Sequence, residues 1–403
     1  MRSHTVLEAV LLVWVVTVSD YVQCDLSLRG VRDRGRATLQ NITSSARLQC
    51  NSGDTAGFNR KAQGRVILPF ITPFNYACRS SRRPEDIGVC FSLPECRRQR
   101  GTAGGTCAGG YGVCCLLDVT CNGMTYRNGT RFRSPGFPRP YNEKRLCHAA
   151  VHKARADICQ IRLDFIAFEI DAPTNGTCSG GHLIMTGQNR NNIIPILCGN
   201  LTGQHVYVDV SAARGPVVLS ISTAGRKASL FDIKMTQLSC RDMHKAPSGC
   251  LQYHTGIEGV FSSFNYGTPS QTASGGAYLN NLDYTICFRK EMGCCSLTYR
   301  TLQGDGSDNA TSSFSVQGRW EDMTEEDTSG AGYIDCPHDY LYLSGVPYCG
   351  NRLNPDEFGT SLEDEEIVDD TSGPFMARFV TDDEVTSRGF QLVYRQNLCT
   401  TKA

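Results

Sequence analysis

The clearest alternation of apolar and polar positions runs from Gly373 to Cys399. Phe375, Ala377 and Phe379 face one way, and after an acidic turn Phe390, Leu392 and Tyr394 do the same, with Arg378, Gln391 and Arg395 opposite. A period of two is that of a half-buried strand, so this stretch predicts a β-hairpin with one buried face. Its turn carries Asp382, Asp383 and Glu384, and Gly389 restarts the chain before the last strand. The same period recurs earlier. Cys159, Ile161, Leu163 and Phe165 point inward while Gln160, Arg162 and Asp164 point outward. Val206, Val208 and Val210, then Val217, Leu219 and Ile221, then Phe231, Ile233 and Met235 repeat it. Short strands at this spacing, punctuated by Gly, Pro and Asn, predict a mainly β protein built from antiparallel sandwiches.

The N-terminal part follows different rules. Residues 1–24 have Arg2 and then the apolar run Ala9 to Val18, too short to span a bilayer, and read as a secretory signal peptide. The chain has 21 cysteines; a cut after Cys24 leaves an even 20, whereas a cut after Ser19 leaves 21, and the parity favours the first. Residues 25–77 are rich in Arg, Ser, Gly and Asn, with short apolar pieces and Cys50, and predict a basic, partly disordered arm. Residues 78–115 hold six cysteines, at 78, 90, 96, 107, 114 and 115. A segment this short lacks a core of its own and must be stapled by disulfides.

A length of 403 residues implies two or three domains. The formal net charge is zero, which gives no reason to expect a nucleic-acid partner. The charge is uneven, with Arg29, Arg32, Arg34, Arg36, Arg79, Arg82, Arg83, Arg97, Arg98 and Arg100 in the first quarter and acidic runs at Glu321 to Asp327 and Glu363 to Asp370. These are expected to be solvated loop charges, with a partner-steering or self-association role as the alternative. Asn41, Asn128, Asn175, Asn200 and Asn309 each begin an N-x-S/T sequon, expected glycan sites in a cysteine-dense chain of an oxidising compartment. Zinc binding would need C-x-x-C pairs, and there are none. No later stretch is long and apolar enough to anchor the chain, so release outside the cell is expected.

Cys336-Pro-His-Asp-Tyr-Leu-Tyr-Leu, then Tyr348-Cys349-Gly350, then Phe379 to Asp382 and Gly389-Phe390 resemble the second half of a CUB domain, an extracellular β-sandwich family. The resemblance covers roughly residues 250–399. A second, earlier copy over 121–240 carries Ser134-Pro-Gly-Phe-Pro-Arg-Pro-Tyr141 and Cys198-Gly199. The family's two bridges imply Cys121 with Cys147 and Cys178 with Cys198 in the first copy, and Cys250 with Cys287 and Cys336 with Cys349 in the second. Cys159 and Cys240 stand where Cys295 and Cys399 stand in the second copy, which implies a third bridge in each. Cys50 and Cys294 are left over, either paired with each other or linked to another chain. The 78–115 segment, with Gly88-Val-Cys90 and Gly112-Val-Cys-Cys115, looks like the clip module that arthropods place before serine proteases. That likeness implies Cys78 with Cys114, Cys90 with Cys107 and Cys96 with Cys115, one of 15 connectivities that six cysteines allow. Within it Arg97-Arg-Gln-Arg100 reads as an exposed loop, with cleavage by a basic-specific protease as the alternative.

Many CUB domains hold calcium with three acidic groups at one end of the sandwich. In the second copy Asp339 and Asp382 match two of them, and the third falls unassigned in the loop from Glu321 to Asp335. The alternative is that both are turn aspartates accepting backbone N–H groups. In the first copy Gly181 and Ala224 occupy the aspartate places, leaving Asp171, and no calcium is expected there. No catalytic residue emerges: there is no G-x-S-x-G, no H-E-x-x-H and no glycine-rich nucleotide loop. His148 and His152 lie four apart, yet on a strand, where that spacing does not align them for a metal. The resemblance therefore implies a secreted, non-enzymatic glycoprotein that binds extracellular proteins: protease-cascade, matrix or receptor components. A non-catalytic regulator of a serine protease cascade and a structural cuticle or matrix component are the alternatives.

Overall fold

The computed structural model describes residues 24–27, 47–50, 76–81, 86–266, 278–302, 313–317, 329–354 and 364–399. The chain divides into two compact units, Met1–Ile71 and Thr72–Ala403. In the first, strands Cys24–Ser27 and Arg47–Cys50 pair antiparallel in a register that sets Cys24 opposite Cys50. The expected signal peptide before Cys24, Asn41 and most of the arm lie outside the described residues.

The second unit begins with a small knot. Strands Ala77–Arg79, Ile87–Phe91, Gly112–Leu116 and Thr102–Cys107 form one antiparallel sheet. The short helix Leu93–Arg98 sits between two of them, started by Ser92, whose hydroxyl accepts the Glu95 N–H at 3.3 Å. Disulfides Cys78–Cys114, Cys90–Cys107 and Cys96–Cys115 close it. Arg97 to Arg100 is not the loop its sequence suggests: Arg97 and Arg98 end the helix, and the Arg100 N–H returns to the Arg97 carbonyl at 2.9 Å.

Two sandwiches follow. In the first, a sheet of His182–Thr186, Val217–Ala224, Lys144–Val151 and Gly123–Thr125 faces one of His205–Asp209, Ile158–Glu169, Leu230–Ser239, Thr130–Arg133 and Asp118–Val119. The inward alternation holds from Ile161 on: Ile161, Leu163, Phe165, Val206, Val208, Val217, Leu219, Ile221, Phe231, Ile233 and Met235 are all buried. It is corrected at the start of that strand, where a register shift between Ile158 and Gln160 leaves Cys159 half-buried and Gln160 buried. In the second, a six-stranded sheet runs in the order Cys250–His254, Asp283–Phe288, Phe375–Val380, Tyr340–Leu343, Val346–Gly350, Ser329–Ala331. It faces Glu258–Ser262, Gly389–Leu398, Cys294–Thr301 and Ile367–Asp369, with Phe314–Ser315 paired to Gly389–Leu398.

The expected hairpin at the C-terminus is corrected by this topology. Phe375–Val380 belongs to one sheet and Gly389–Leu398 to the other, and residues 381–388 cross between them. The two aromatic faces meet across the core, where Phe379 and Phe390 have ring centroids 5.1 Å apart. Alternation fixes which face of a strand is apolar and says nothing of whether the next strand lies beside it or opposite it. Each buried Phe contributes about 1.5–3 kcal/mol, so closing the core this way is strongly favoured. The bridge Cys295–Cys399 spans 104 residues and ties the last strand back to an inner one; a loop of that length restricts the unfolded chain by about 4–5 kcal/mol.

Candidate functional site

Three assemblies of polar residues stand out. The first is at one end of the second sandwich. Asp339 immediately precedes strand Tyr340–Leu343 and lies three residues after Cys336, which is bridged to Cys349. It is 1% exposed. Its Oδ1 accepts the Asp382 N–H at 2.8 Å and its Oδ2 accepts the Tyr278 hydroxyl at 2.5 Å. Asp382 in turn accepts the Glu384 N–H on Oδ1 at 2.9 Å and faces His338 Nδ1 from Oδ2 at 2.9 Å. Burial pushes the Asp339 carboxyl up to about 6, with the Asp382 charge adding to the rise. The structure thus brings Asp339 and Asp382 together, and each also fixes the turn through a backbone N–H.

Among the described residues no three His, Cys, Asp or Glu side chains converge as a metal-binding group. Two carboxylates on adjoining segments, Asp339 buried and Asp382 half-buried, are of the hard oxygen type that calcium takes. Part of the loop that holds the unassigned acid, residues 318–328, lies outside the described residues. In the first sandwich Asp171, 7% exposed, accepts the Ala224 N–H at 3.2 Å. A Cβ at Gly181 would come within 2.8 Å of Asp171 Oδ2, so that position has no room for an acid.

The second assembly joins the two sandwiches, and the sequence reading missed it. Asn265 Oδ1 accepts the Asn200 N–H at 2.8 Å, and Gln204 Nε2 donates to Ser262 Oγ at 3.0 Å and to the Ser263 carbonyl at 2.8 Å. Asn280 Nδ2 donates to the Asn175 carbonyl at 3.1 Å. Close approach requires glycine: a Cβ at Gly199 would meet Asn265 Oδ1 at 2.2 Å, and one at Gly176 would meet Asn280 Oδ1 at 2.1 Å. Beside these contacts lie two histidines. His205 Nε2 accepts the Tyr253 N–H at 3.0 Å, and the His205 and His254 rings stand 5.0 Å apart. Burial drives His205 well below the ordinary histidine range and His254 down to about 4, with the Arg162 charge acting the same way on both. Gln160 and Tyr207, outward by alternation, are buried because Ala246 and Tyr253 cover them.

The third assembly seats the knot on the first sandwich. Arg131 and Arg133 from one strand bind Asp232 of its neighbour, Asp118, and Asp86 of the knot. Arg131 Nε meets Asp232 Oδ1 at 2.8 Å and Arg133 meets Asp118 at 2.9 Å. Burial raises the Asp118 carboxyl, opposed by Arg133.

The remaining candidates are placed as follows. Disulfides join Cys121 to Cys147, Cys159 to Cys240, Cys178 to Cys198 and Cys250 to Cys287, besides those already given. Cys294 is a buried free thiol, which corrects the expectation that it pairs with Cys50; its neighbour Cys295 takes the bridge to Cys399. Asn128, Asn175 and Asn200 are exposed, and Asn309 lies outside the described residues. His148 lies 3.1 Å from Ser220 Oγ and His152 stacks on Tyr126, so each has its own neighbour. No helix among the described residues is long and apolar enough to cross a membrane.

Comparison with known proteins finds the Animal CUB domain family over residues 247–397. Among solved structures, the chain is similar to the CUB1-EGF-CUB2 domain of human MASP-1/3, at 15% identity over 66% of this chain and 98% of that one, with a TM-score of 0.23. The CUB1-EGF-CUB2 domains of rat MASP-1 match at 13% identity over 70% of this chain and 99% of theirs, again with a TM-score of 0.23. The full extracellular region of zebrafish Gpr126/Adgrg6 matches at 10% identity over 71% of this chain and 37% of that one, with a TM-score of 0.23. No curated protein matches.

Proposed function

We propose that the protein is a secreted, non-enzymatic glycoprotein that recognises other extracellular proteins through the loops of its sandwiches. The observation that carries this reading is the junction. Backbone-directed bonds from Asn265, Gln204, His205 and Asn280 hold one sandwich against the other, so loops from both are presented in one fixed arrangement. Loops fixed by a scaffold bind without first losing their own freedom, which favours recognition over chemistry. The Animal CUB domain match over residues 247–397 supports the same class of role.

The layout proposed is a signal peptide over 1–24, a basic arm over 25–77, a clip-like module over 78–115, and CUB-like domains over 121–240 and 250–399, with glycans at Asn41, Asn128, Asn175, Asn200 and Asn309. Asp339 and Asp382 would hold a calcium ion. The ion would neutralise the buried carboxylate and stiffen the turn that offers acidic oxygens to a basic partner side chain. A second reading, a non-catalytic regulator of an extracellular serine protease cascade, is supported by the knot's three bridges, which have the clip-like connectivity.

The test is retention of partners from extracellular fluid on immobilised full-length chain, with calcium and with chelator, beside the variant Asp382→Ala. A protein retained in calcium and lost with the variant supports the reading, and a clip protease in that fraction favours its second form. Retention no greater than on bare matrix overturns it.

A further inference from the structure

We propose that the cleft where the first sandwich meets the start of the second binds an acidic saccharide, a glycan segment bearing carboxylate or sulfate groups. The cleft has a volume of about 690 Å³ and is walled by residues 187–192, residues 212–214 and residues 247–250. Its size lies within the range of small-ligand sites, but such sites are as a rule lined by apolar and aromatic groups. This one is lined chiefly by amides, a hydroxyl and arginines.

The walls are built without a ligand. Asn189 donates to Asp209 Oδ1 at 2.8 Å and to Ser211 Oγ at 2.7 Å, and accepts the Ala212 N–H at 2.9 Å. Asn192 Oδ1 accepts the Asp209 N–H at 2.8 Å. On the far side Gln160, 5% exposed, bonds both the N–H and the carbonyl of Ala246, each at 2.9 Å, and so anchors the segment leading to Pro247. These bonds join the loops to the edge strand His205–Asp209 and the linker to its neighbour Ile158–Glu169, so the opening is already shaped before anything enters it.

What stays unused inside it sets the ligand. The Asp209 carboxylate is taken up by Asn189 and by the Ser211 N–H at 2.9 Å. Arg190 and Arg214 are exposed and make no ion pair among the described residues, which leaves the cleft with free positive charge. A guanidinium fork matches carboxylate or sulfate oxygens two at a time. Asn191 and Ser248 add an exposed amide and hydroxyl, groups that donate and accept as a sugar hydroxyl requires. A peptide would want an apolar anchor pocket or a free sheet edge; the lining is mainly polar, and at Asp209 the edge strand's N–H and carbonyl are already taken by Asn192 and Asn189.

The test is titration calorimetry on the full chain with a sulfated heparin hexasaccharide, a hyaluronan hexasaccharide that carries carboxylates alone, and neutral dextran. Binding of either acidic oligosaccharide and not of dextran is expected, and which one binds identifies the anionic group. The variant Arg190→Ala/Arg214→Ala should weaken it about tenfold or more. Asn191→Leu, which leaves the charge intact, should weaken it by a similar factor. Both sites are exposed, so folding is checked simply by an unchanged circular dichroism spectrum. No binding of either acidic oligosaccharide overturns the proposal. So does binding unchanged in both variants, the result expected if the arginine-rich residues 25–77 were the attachment point. Loss in the arginine variant without loss in Asn191→Leu overturns the saccharide assignment.

Discussion

The junction between the sandwiches should weaken as pH falls, and His254 supplies the best-defined part of that loss. Its ring lies between Phe288, with centroids 5.6 Å apart, Tyr394 at 6.0 Å and Phe261 at 6.3 Å. Its Nε2 is buried with no hydrogen-bond partner. The other groups facing it are His205, which is driven in the same direction, the phenol of Tyr394, and Arg162, whose charge also opposes protonation. The folded-state value of about 4 lies below the ordinary 6.5, so the unfolded chain binds the proton first. Stability is then whole above pH 6.5 and is lost as pH falls toward 4. Between pH 7.4 and 4.5 a shift of that size removes about 2.5 kcal/mol, from one histidine alone. In a domain of this size that is a drop of about 5–10 °C in melting temperature.

The informative variant is His254→Phe, which keeps the aromatic packing and removes the unpartnered nitrogen. It should be neutral or slightly stabilising at pH 7.4. At pH 4.5 it should exceed the parent chain by about 2.5 kcal/mol. Denaturant midpoints followed by near-ultraviolet circular dichroism, with disulfides intact and ionic strength fixed, measure the difference. Comparing the two chains cancels the titrating groups that do not touch His254; His205, whose ring lies 5.0 Å away, is removed from the comparison by repeating it in a His205→Gln background. An identical loss between the two pH values in variant and parent would refute the assignment.

Three further outcomes follow from other parts of the molecule. Asp232→Asn should cost about 3–5 kcal/mol, because Asp232 is fully buried and engages both guanidinium groups through both of its oxygens, whereas Asp86 engages them through one oxygen and Asp86→Asn should cost less than half as much; either variant leaves two carboxylates for the two arginines, so thermal melts of equal depth would show that charge balance and not contact geometry decides the cost. Calcium should raise the melting temperature of the parent and leave Asp382→Ala unchanged, and a parent that does not respond removes the calcium assignment. Finally, with the proposed signal peptide removed after Cys24, the secreted chain unfolded without reductant should show two free thiols, Cys50 and Cys294; a mature chain that begins before Cys24 and shows one free thiol, as the strand register opposite Cys50 would allow, refutes that cleavage site, and N-terminal sequencing with thiol titration decides.

The sandwiches were legible because inward alternation is local: Val206, Val208 and Val210 announce their buried face within five residues. Asp339 and Asp382 were legible only through short motifs, since nothing in their periodicity distinguishes a ligand from a turn aspartate. The acidic run at 363–370 misled, for it supplies strand Ile367–Asp369, and Asp369 is buried, accepting the Thr371 hydroxyl at 2.7 Å. The junction was illegible for a more general reason. Alternation reports burial against the facing sheet of the same sandwich, and a residue on the outer face counts as solvent-exposed unless something far along the chain covers it. Gln160 is covered by Ala246, 86 residues on, and His205 by Tyr253, 48 residues on. The covering layer is mixed: Tyr207, Leu238, Ala246 and Tyr253 pack as a small apolar cluster beside amides and imidazoles that satisfy backbone N–H and carbonyl groups. Apolar residues scattered singly among polar ones over distant segments leave no stripe to read. It follows that the surfaces by which sandwiches of this kind attach, to each other or to a partner, are the part of the fold that sequence pattern hides most thoroughly.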